Sequence, residues 1–382
     1  MRTVVGILSC AAIVLIAFEA FETIILPRRV TRKFRLTSLF YRFTWRPWAA
    51  VARRIRKPRR RERFLGYYGP LSTPLLLSFW AAGMISAFSG ILWSLRTELQ
   101  APEKAVDFAT YLYLSGSAYF GGGFGDVTAR GGLGRFISVF EGGVGFGFLA
   151  VVIGYFPVLY QAFSHREVNI ALLDARAGSP SSAQELLRHY GEGRDFAAIN
   201  SGLHEAEHWT AELLESHISY PGLSYFRSQH DNQSWIGSIT TILDACSLAM
   251  TGIEGLPPRQ AQLTFAMARH AVVDIAQILK TAPRPPEPAR LPPATFRKLR
   301  EELATAGILL RDDEESRIRL SQLRSMYEPY VNALSWYLVM PLPEWVPKRR
   351  VMHNWETSAW SRSGRTQHPP RAAALDPIED DH

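Results

Sequence analysis

Residues 105–120, AVDFATYLYLSGSAYF, run directly into Gly121-Gly122-Gly123-Phe124-Gly125-Asp126. The first part is apolar and helix-like. At sixteen residues it is too short for a hydrocarbon core of about 30 Å, which takes about 20 residues of helix. The second part is irregular, glycine-rich backbone. Such backbone is tolerated at membrane depth only where protein buries it or where it lines an aqueous cavity. The stretch therefore reads as a re-entrant segment or, failing that, as a glycine-rich turn outside the membrane. What flanks it decides between the two.

Outward on either side stand two apolar segments of spanning length, Leu71 to Leu95 and Phe136 to Tyr160, and a third, Thr3 to Leu26, opens the chain. In the third, Glu19 and Glu22 confine the charge-free part to Thr3 through Phe18 and place the acids near an interface. Met1 to Phe18 lacks the basic start and small-residue cleavage site of a signal peptide, so it is expected to stay as an anchor. Spanning helix, short helix, Gly-x-Gly-Asp loop and spanning helix is the order of a pore loop.

Charge orients the segments. Of the net +8, residues 28–63 carry +14, from fifteen Lys or Arg against Glu62, and the remainder is −6. Basicity this local, between two apolar segments, marks a cytoplasmic loop in contact with acidic lipid headgroups rather than a nucleic-acid surface. The N-terminus is then outside and everything after the third span is cytoplasmic. Within the loop, Phe40, Tyr41, Phe43, Trp45 and Trp48 alternate with Arg42, Arg46, Arg53 and Arg54, which predicts an amphipathic helix lying among headgroups. No spanning segment carries the regular row of Arg that a voltage sensor needs.

From Leu71 to Gln161 the sequence resembles the pore module of the potassium-channel superfamily, specifically the prokaryotic two-helix ion-channel domain. Gly123-Phe124-Gly125-Asp126 matches the second half of that family's Thr-Val-Gly-Tyr-Gly-Asp filter, while Gly121 and Gly122 stand at its Thr and Val positions. Gly154-Tyr155-Phe156-Pro157 and Ser164-His165-Arg166-Glu167 resemble a bacterial subgroup with a helical cytoplasmic domain. The resemblance implies an all-α membrane protein of the bacterial inner or plasma membrane and a homotetramer, each chain supplying a quarter of the filter. It implies backbone carbonyls of Gly121, Gly122, Gly123, Phe124 and Gly125 around the ion, Asp126 at the outer mouth, and potassium as the permeant ion with no cofactor.

In the third span, Gly142, Gly143, Gly145 and Gly147 serve either close packing or hinging, and Pro157 removes a helix hydrogen bond near the inner end. Gly145, Gly147 and Pro157 are the candidate gating hinge. Glu141, ionisable within a span, is expected to support the filter from behind, the alternative being a hydrated acid near the outer interface.

The organisation expected is a transmembrane helix at 1–26, a basic interfacial segment at 27–68, the pore domain at 69–163, a helical domain at 164–281, a proline-rich linker at 282–293, a second helical part at 294–347 and a disordered tail at 348–382. Helices are expected over Ala197 to His217, Asn232 to Met250, Arg259 to Lys280, Ala294 to Ala306 and Ser316 to Met340. Ser182 and Glu185 suggest a capping box, and the segment from His230 to Trp235 a helix N-cap. Trp209, Tyr220, Tyr225 and Phe226 read as packing residues. Cys10 and Cys246 are too few for a disulfide framework, and the domain opens with no phosphate-binding glycine loop.

One motif points elsewhere. His204-Glu205-Ala206-Glu207-His208 fits H-E-x-x-H, which on a helix turns two imidazoles to one face with a carboxylate beside them. A membrane-anchored zinc hydrolase would use His204 and His208 as metal ligands and Glu205 as base, with Glu215 or His217 as a third ligand. The competing readings are a solvated helix face and a proton- or metal-sensing site. A non-conducting scaffold derived from a channel is a further alternative, given Gly121 and Gly122.

Overall fold

The computed structural model describes residues 1–26, 35–102, 106–191, 196–230 and 232–347. The first basic residues, Arg28 to Lys33, and the tail from Lys348 lie outside them. The chain is helical and forms two compact units, one of Met1–Ala50 with Tyr67–Gln161, the other of Val51–Gly66 with Ala162 onward. The basic segment expected as one piece at 27–68 is thus divided between them.

Three helical stretches are long and apolar enough to cross a membrane, Arg2–Ile25, Pro58–Ser94 and Gly132–Ala177, and they overlap the three spans expected. The first comprises α1 (Arg2–Ala20) and a π-helical turn, Phe21–Ile25, in which the Leu26 N–H reaches back to the Phe21 carbonyl. The second comprises α3 (Pro58–Gly66) and α4 (Tyr68–Ser94). Helices α1 and α4 lie antiparallel through small residues. A Cβ on Gly6 would come within 2.6 Å of Ser94 Oγ, one on Gly90 within 2.2 Å of Ser9 Oγ, and one on Gly83 within 2.7 Å of Ile16 Cδ1. Apolar attraction between helices vanishes in lipid, so contact of this closeness is what holds such a pair.

The amphipathic helix forms as α2 (Leu36–Arg54), but its aromatic face does something else. Thr37, Tyr41, Trp45, Ala49 and Ala52 recur at helical spacing and are buried. The Tyr68 ring lies 4.8 Å from Trp45 and 5.7 Å from Trp48, and its hydroxyl is 2.8 Å from Thr44 Oγ1. The side expected among headgroups therefore packs on the beginning of α4, leaving Phe43, Arg42 and Arg46 exposed. Glu19, read as an interfacial acid, is fully buried. Its Oε2 accepts from the Thr37 N–H at 3.2 Å and from Thr37 Oγ1 at 2.9 Å, placing a carboxylate at the positive end of α2.

In the second unit, α7 (Ala183–Gly191), α8 (Phe196–Ser219) and α10 (Arg259–Ile278) pack around α9 (Trp235–Gly252). Trp235, Ile236, Ile239, Ile242, Leu243 and Cys246 of α9 are fully buried. Ser234 is the cap the sequence placed near it, accepting from the Gly237 N–H at 3.0 Å. Ser182 likewise accepts from the Glu185 N–H, although Glu185 pairs with Arg188 instead of closing the box. Trp209 and Tyr225 are buried as expected.

Two expectations change beyond Ile278. The helix foreseen over Ser316 to Met340 is two helices, α12 (Glu314–Ser325) and α13 (Glu328–Leu338), after α11 (Pro293–Thr305). Pro329, with no N–H to give, sits at the start of α13, where its fixed φ begins a helix but cannot continue one. The proline-rich segment at 282–293 is packed rather than a spacer. Asn332 Nδ2 donates to the carbonyls of Arg284 and Pro285, and Arg290 enters a buried cluster. Arg290 bonds Asp244 at 2.7 and 3.0 Å, Glu328 at 3.3 Å and the Pro343 carbonyl at 3.1 Å, while the Tyr327 hydroxyl donates to Asp244 at 2.5 Å. Burial alone would lower the Arg290 pKa; Asp244, then Tyr327 and Glu328, hold it above the ordinary arginine value.

Candidate functional site

The glycine loop is carried by α5 (Phe108–Tyr119) and α6 (Gly132–Ala177). Asp107 caps α5, accepting from the Thr110 N–H at 3.0 Å, and so sets its first residue. A pair of two-residue strands, β1 (Leu99–Gln100) and β2 (Thr128–Ala129), ties the chain before α5 to the chain after the loop. The Tyr111 hydroxyl donates to the Thr97 carbonyl at 2.8 Å, and Leu92, Tyr111, Leu114, Val127 and Ala129 form a small core behind the loop.

The loop leaves α5 with the carbonyls of Ala118 and Ser117 satisfied by the N–H groups of Gly121 and Gly122. Gly121, Gly123 and Gly125 have φ of +67°, +51° and +76°, a left-handed conformation costly to any residue with a Cβ, whereas Gly122 and Phe124 do not. The sequence thus places glycine at each residue whose backbone demands it. All six residues from Gly121 to Asp126 are exposed in the single chain. At the end of the loop, Asp126 Oδ2 accepts a 2.9 Å bond from the Tyr113 hydroxyl of α5. Reading the sequence did not find Tyr113, because nothing in its spacing links it to a residue thirteen positions away. It did overlook one visible signal, the cap at Asp107.

Glu141 lies fully buried in α6 and is bonded by the Ser115 hydroxyl of α5, which also lies 3.1 Å from the Ile85 carbonyl of α4. Among its two readings, the hydrated acid is the one this burial removes. One turn on, Gly145 has no room for a side chain: a Cβ would stand 1.9 Å from the Tyr119 carbonyl oxygen, at the end of α5. Gly145, named with the hinge, is therefore a close-packing residue. Gly147 meets nothing within 4 Å, and Pro157 lies inside α6 without ending it. The apolar stretch of α6 is only 11% buried within one chain, against 61% for the stretch containing α4.

His204 and His208 do share a face of α8, their rings 4.7 Å apart. The rest of the proposed zinc site is dispersed. Glu205 pairs with Arg176 at 2.7 Å, Glu207 accepts from Gln260 at 2.8 Å, and no group of three or more His, Cys, Asp and Glu gathers as a metal site among the described residues. His217 is buried elsewhere, its Nδ1 donating to the Leu213 carbonyl at 2.8 Å. Burial and then the nearby Arg166 push its pKa down to about 3. Arg166, just past the apolar part of α6, is itself buried, bonding Glu167 and the carbonyls of Leu223 and Phe226.

Residues 76–161 match a protein-family model described as "Ion channel". Over 237 residues, 59% of this chain and 67% of the relative, the chain is 24% identical to the uncharacterized membrane protein YdjJ of Bacillus subtilis (strain 168). No solved structure matches.

Proposed function

We propose, from the premise that residues 76–161 form an ion-channel domain in a membrane protein, that four copies of this chain assemble a pore conducting cations, potassium foremost. The observation that carries this reading is the alternation of left-handed glycines at 121, 123 and 125 in an exposed loop pinned at both ends. Alternating handedness turns successive carbonyls toward one side, and four such loops around an axis would replace an ion's hydration shell. One chain gives a single side of that column. The bare apolar surface of α6 supports the same assembly, since it would line the path and meet its neighbours.

Asp126 stands at the outer mouth in this assembly, and Glu141 holds α5 to α6 behind the filter. Gly121 and Gly122 supply carbonyls without the hydroxyls a Thr would add. Gly147 and Pro157 remain the hinge residues of α6. By the positive-inside rule the N-terminus lies outside and the second unit in the cytoplasm, with residues 28–63 meeting acidic headgroups of the inner leaflet. The antiparallel α1 and α4 agree with that course. The reading calls for no bound cofactor, no nucleic-acid partner and no catalysed reaction.

The test is single-channel recording of the purified protein in planar bilayers under potassium and sodium gradients, beside Gly123→Val. A β-branched side chain at φ +51° costs about 1–2 kcal/mol in each of four loops, so the variant is expected to assemble and not to conduct. The reversal potential reports which cation is preferred. Wild-type silence across voltage, pH and calcium would overturn conduction and favour the scaffold. A smaller effect is expected of Tyr113→Phe, which removes a bond of about 1 kcal/mol to Asp126 and should shorten open dwell times severalfold. Dwell times equal to wild type would remove Tyr113 from filter support.

A further inference from the structure

Two cavities in the second unit share a wall made of Glu62, Arg227 and Gln233. One, of about 390 Å³, is lined by Arg59, Arg63, Arg227 and His230, and among its described lining residues Glu62 is the one acid. The other, of about 440 Å³, presents hydroxyl and amide groups from Ser181, Ser182, Asn232, Ser234 and Ser238, together with carboxylates of Asp174 and Glu344. Both volumes lie in the range of small-molecule sites.

Arg227 is the group that distinguishes this place. Its side chain is 9% exposed, with Nη1 3.3 Å from Glu62 and Nη2 donating to the carbonyls of Leu338 at 2.6 Å and Val339 at 3.1 Å. Its Nε–H has no hydrogen-bond partner. Arg290, equally buried, faces two carboxylates, Asp244 and Glu328. Arg227 faces one. Burial pushes the Arg227 pKa down to about 10, Glu62 opposing that and Arg61 adding to it. Of the three buried guanidinium groups of this unit, Arg166, Arg227 and Arg290, Arg227 is the one on the cavity wall, and it faces a single carboxylate.

We propose that the cavity bounded by Arg59, Arg63, Arg227 and His230 binds a phosphate-bearing anion, whose hydroxylated remainder occupies the adjoining hydroxyl- and amide-lined cavity. Guanidinium groups match phosphate oxygens in geometry as well as charge, and serine and amide side chains both donate and accept toward an alcohol. A phosphatidylglycerol headgroup and soluble glycerol phosphate carry this same chemistry. The lipid source rests on the headgroup contact proposed above for residues 28–63; the soluble source does not, and neither needs the pore to conduct.

The full-length protein in detergent is titrated calorimetrically with inorganic phosphate and with glycerol 3-phosphate. Native mass spectrometry then compares retention of phosphatidylglycerol with that of phosphatidylcholine. The variants are Arg63→Gln, at an exposed position of α3 where folding is not at stake, Arg227→Lys, and Arg46→Gln on the exposed side of α2 as control. Affinity is expected to fall about tenfold or more in the first two and to stay level in the third. Loss seen with glycerol 3-phosphate assigns the soluble source; loss confined to phosphatidylglycerol assigns the headgroup. Absence of binding by all these anions overturns the site. Equal loss in Arg46→Gln and Arg63→Gln also overturns it, while leaving general attraction of the basic segment to anionic lipid intact.

Discussion

Gly145→Ala is expected to abolish both assembly and current, although it adds a single methyl group. The new carbon would stand 1.9 Å from the Tyr119 carbonyl oxygen and 2.7 Å from the Tyr119 carbonyl carbon, and backbone atoms cannot swing aside as a side chain can. Helix α6 would have to withdraw from the end of α5, the point from which the glycine loop departs. Overpacking of a well-fitted contact costs about 1–3 kcal/mol, here once in every subunit of the proposed fourfold assembly. Gly147→Ala is the matched control, since its Cβ would meet nothing within 4 Å in the chain. Cross-linking of the membrane-embedded protein followed by bilayer recording reads both outcomes. Wild-type current and assembly in Gly145→Ala would show that α5 and α6 do not need this contact.

Arg290→Met is the second large effect, and it falls on the other unit. Removing the guanidinium leaves Asp244, 1% exposed, with only the Tyr327 hydroxyl of the partners it now has in that cluster, and leaves Glu328 to Arg324. Truncating one side of a buried ion pair costs about 3–5 kcal/mol, a large share of a domain's total stability. Because Arg290 also bonds the Pro343 carbonyl and lies over the Trp345 ring, the proline-rich stretches on both sides of α11 to α13 lose their anchor. The expected result is a drop in thermal stability together with rapid proteolysis between residues 282 and 293. Asp244→Asn added to Arg290→Met should recover part of the loss, since no charge then stays unpaired at that position. Unchanged melting and proteolysis in Arg290→Met would mean that the cluster contributes little beyond its own desolvation cost.

The two residues also mark where reading by sequence stops. Gly145 is visible as one of a cluster of four glycines in an apolar helix, and helical spacing alone does not choose between packing and hinging. Arg290 sits between prolines, where composition argues for a spacer. In both cases the deciding partner, Tyr119 or Asp244, lies 26 or 46 residues away, and a contact across that distance leaves no periodic trace. The aromatic face of α2 is a related case. Its period of four is plain in the sequence, but Tyr68 and lipid headgroups are equally good partners for tryptophan, so the pattern specified a buried face without naming what buries it.

By itself the sequence determined the three spans, the short helix between two of them and the glycine-rich loop that follows it. Each of these depends on local chemistry: hydropathy over about 20 residues and the missing Cβ of glycine. Only the tertiary structure decided that Glu19 caps α2, that Tyr113 reaches Asp126, that Gly145 is occupied by a neighbouring backbone, and that Arg227 and Arg290 are buried with unequal numbers of carboxylates. Those facts are distances between residues far apart in the chain, and folding alone brings them together.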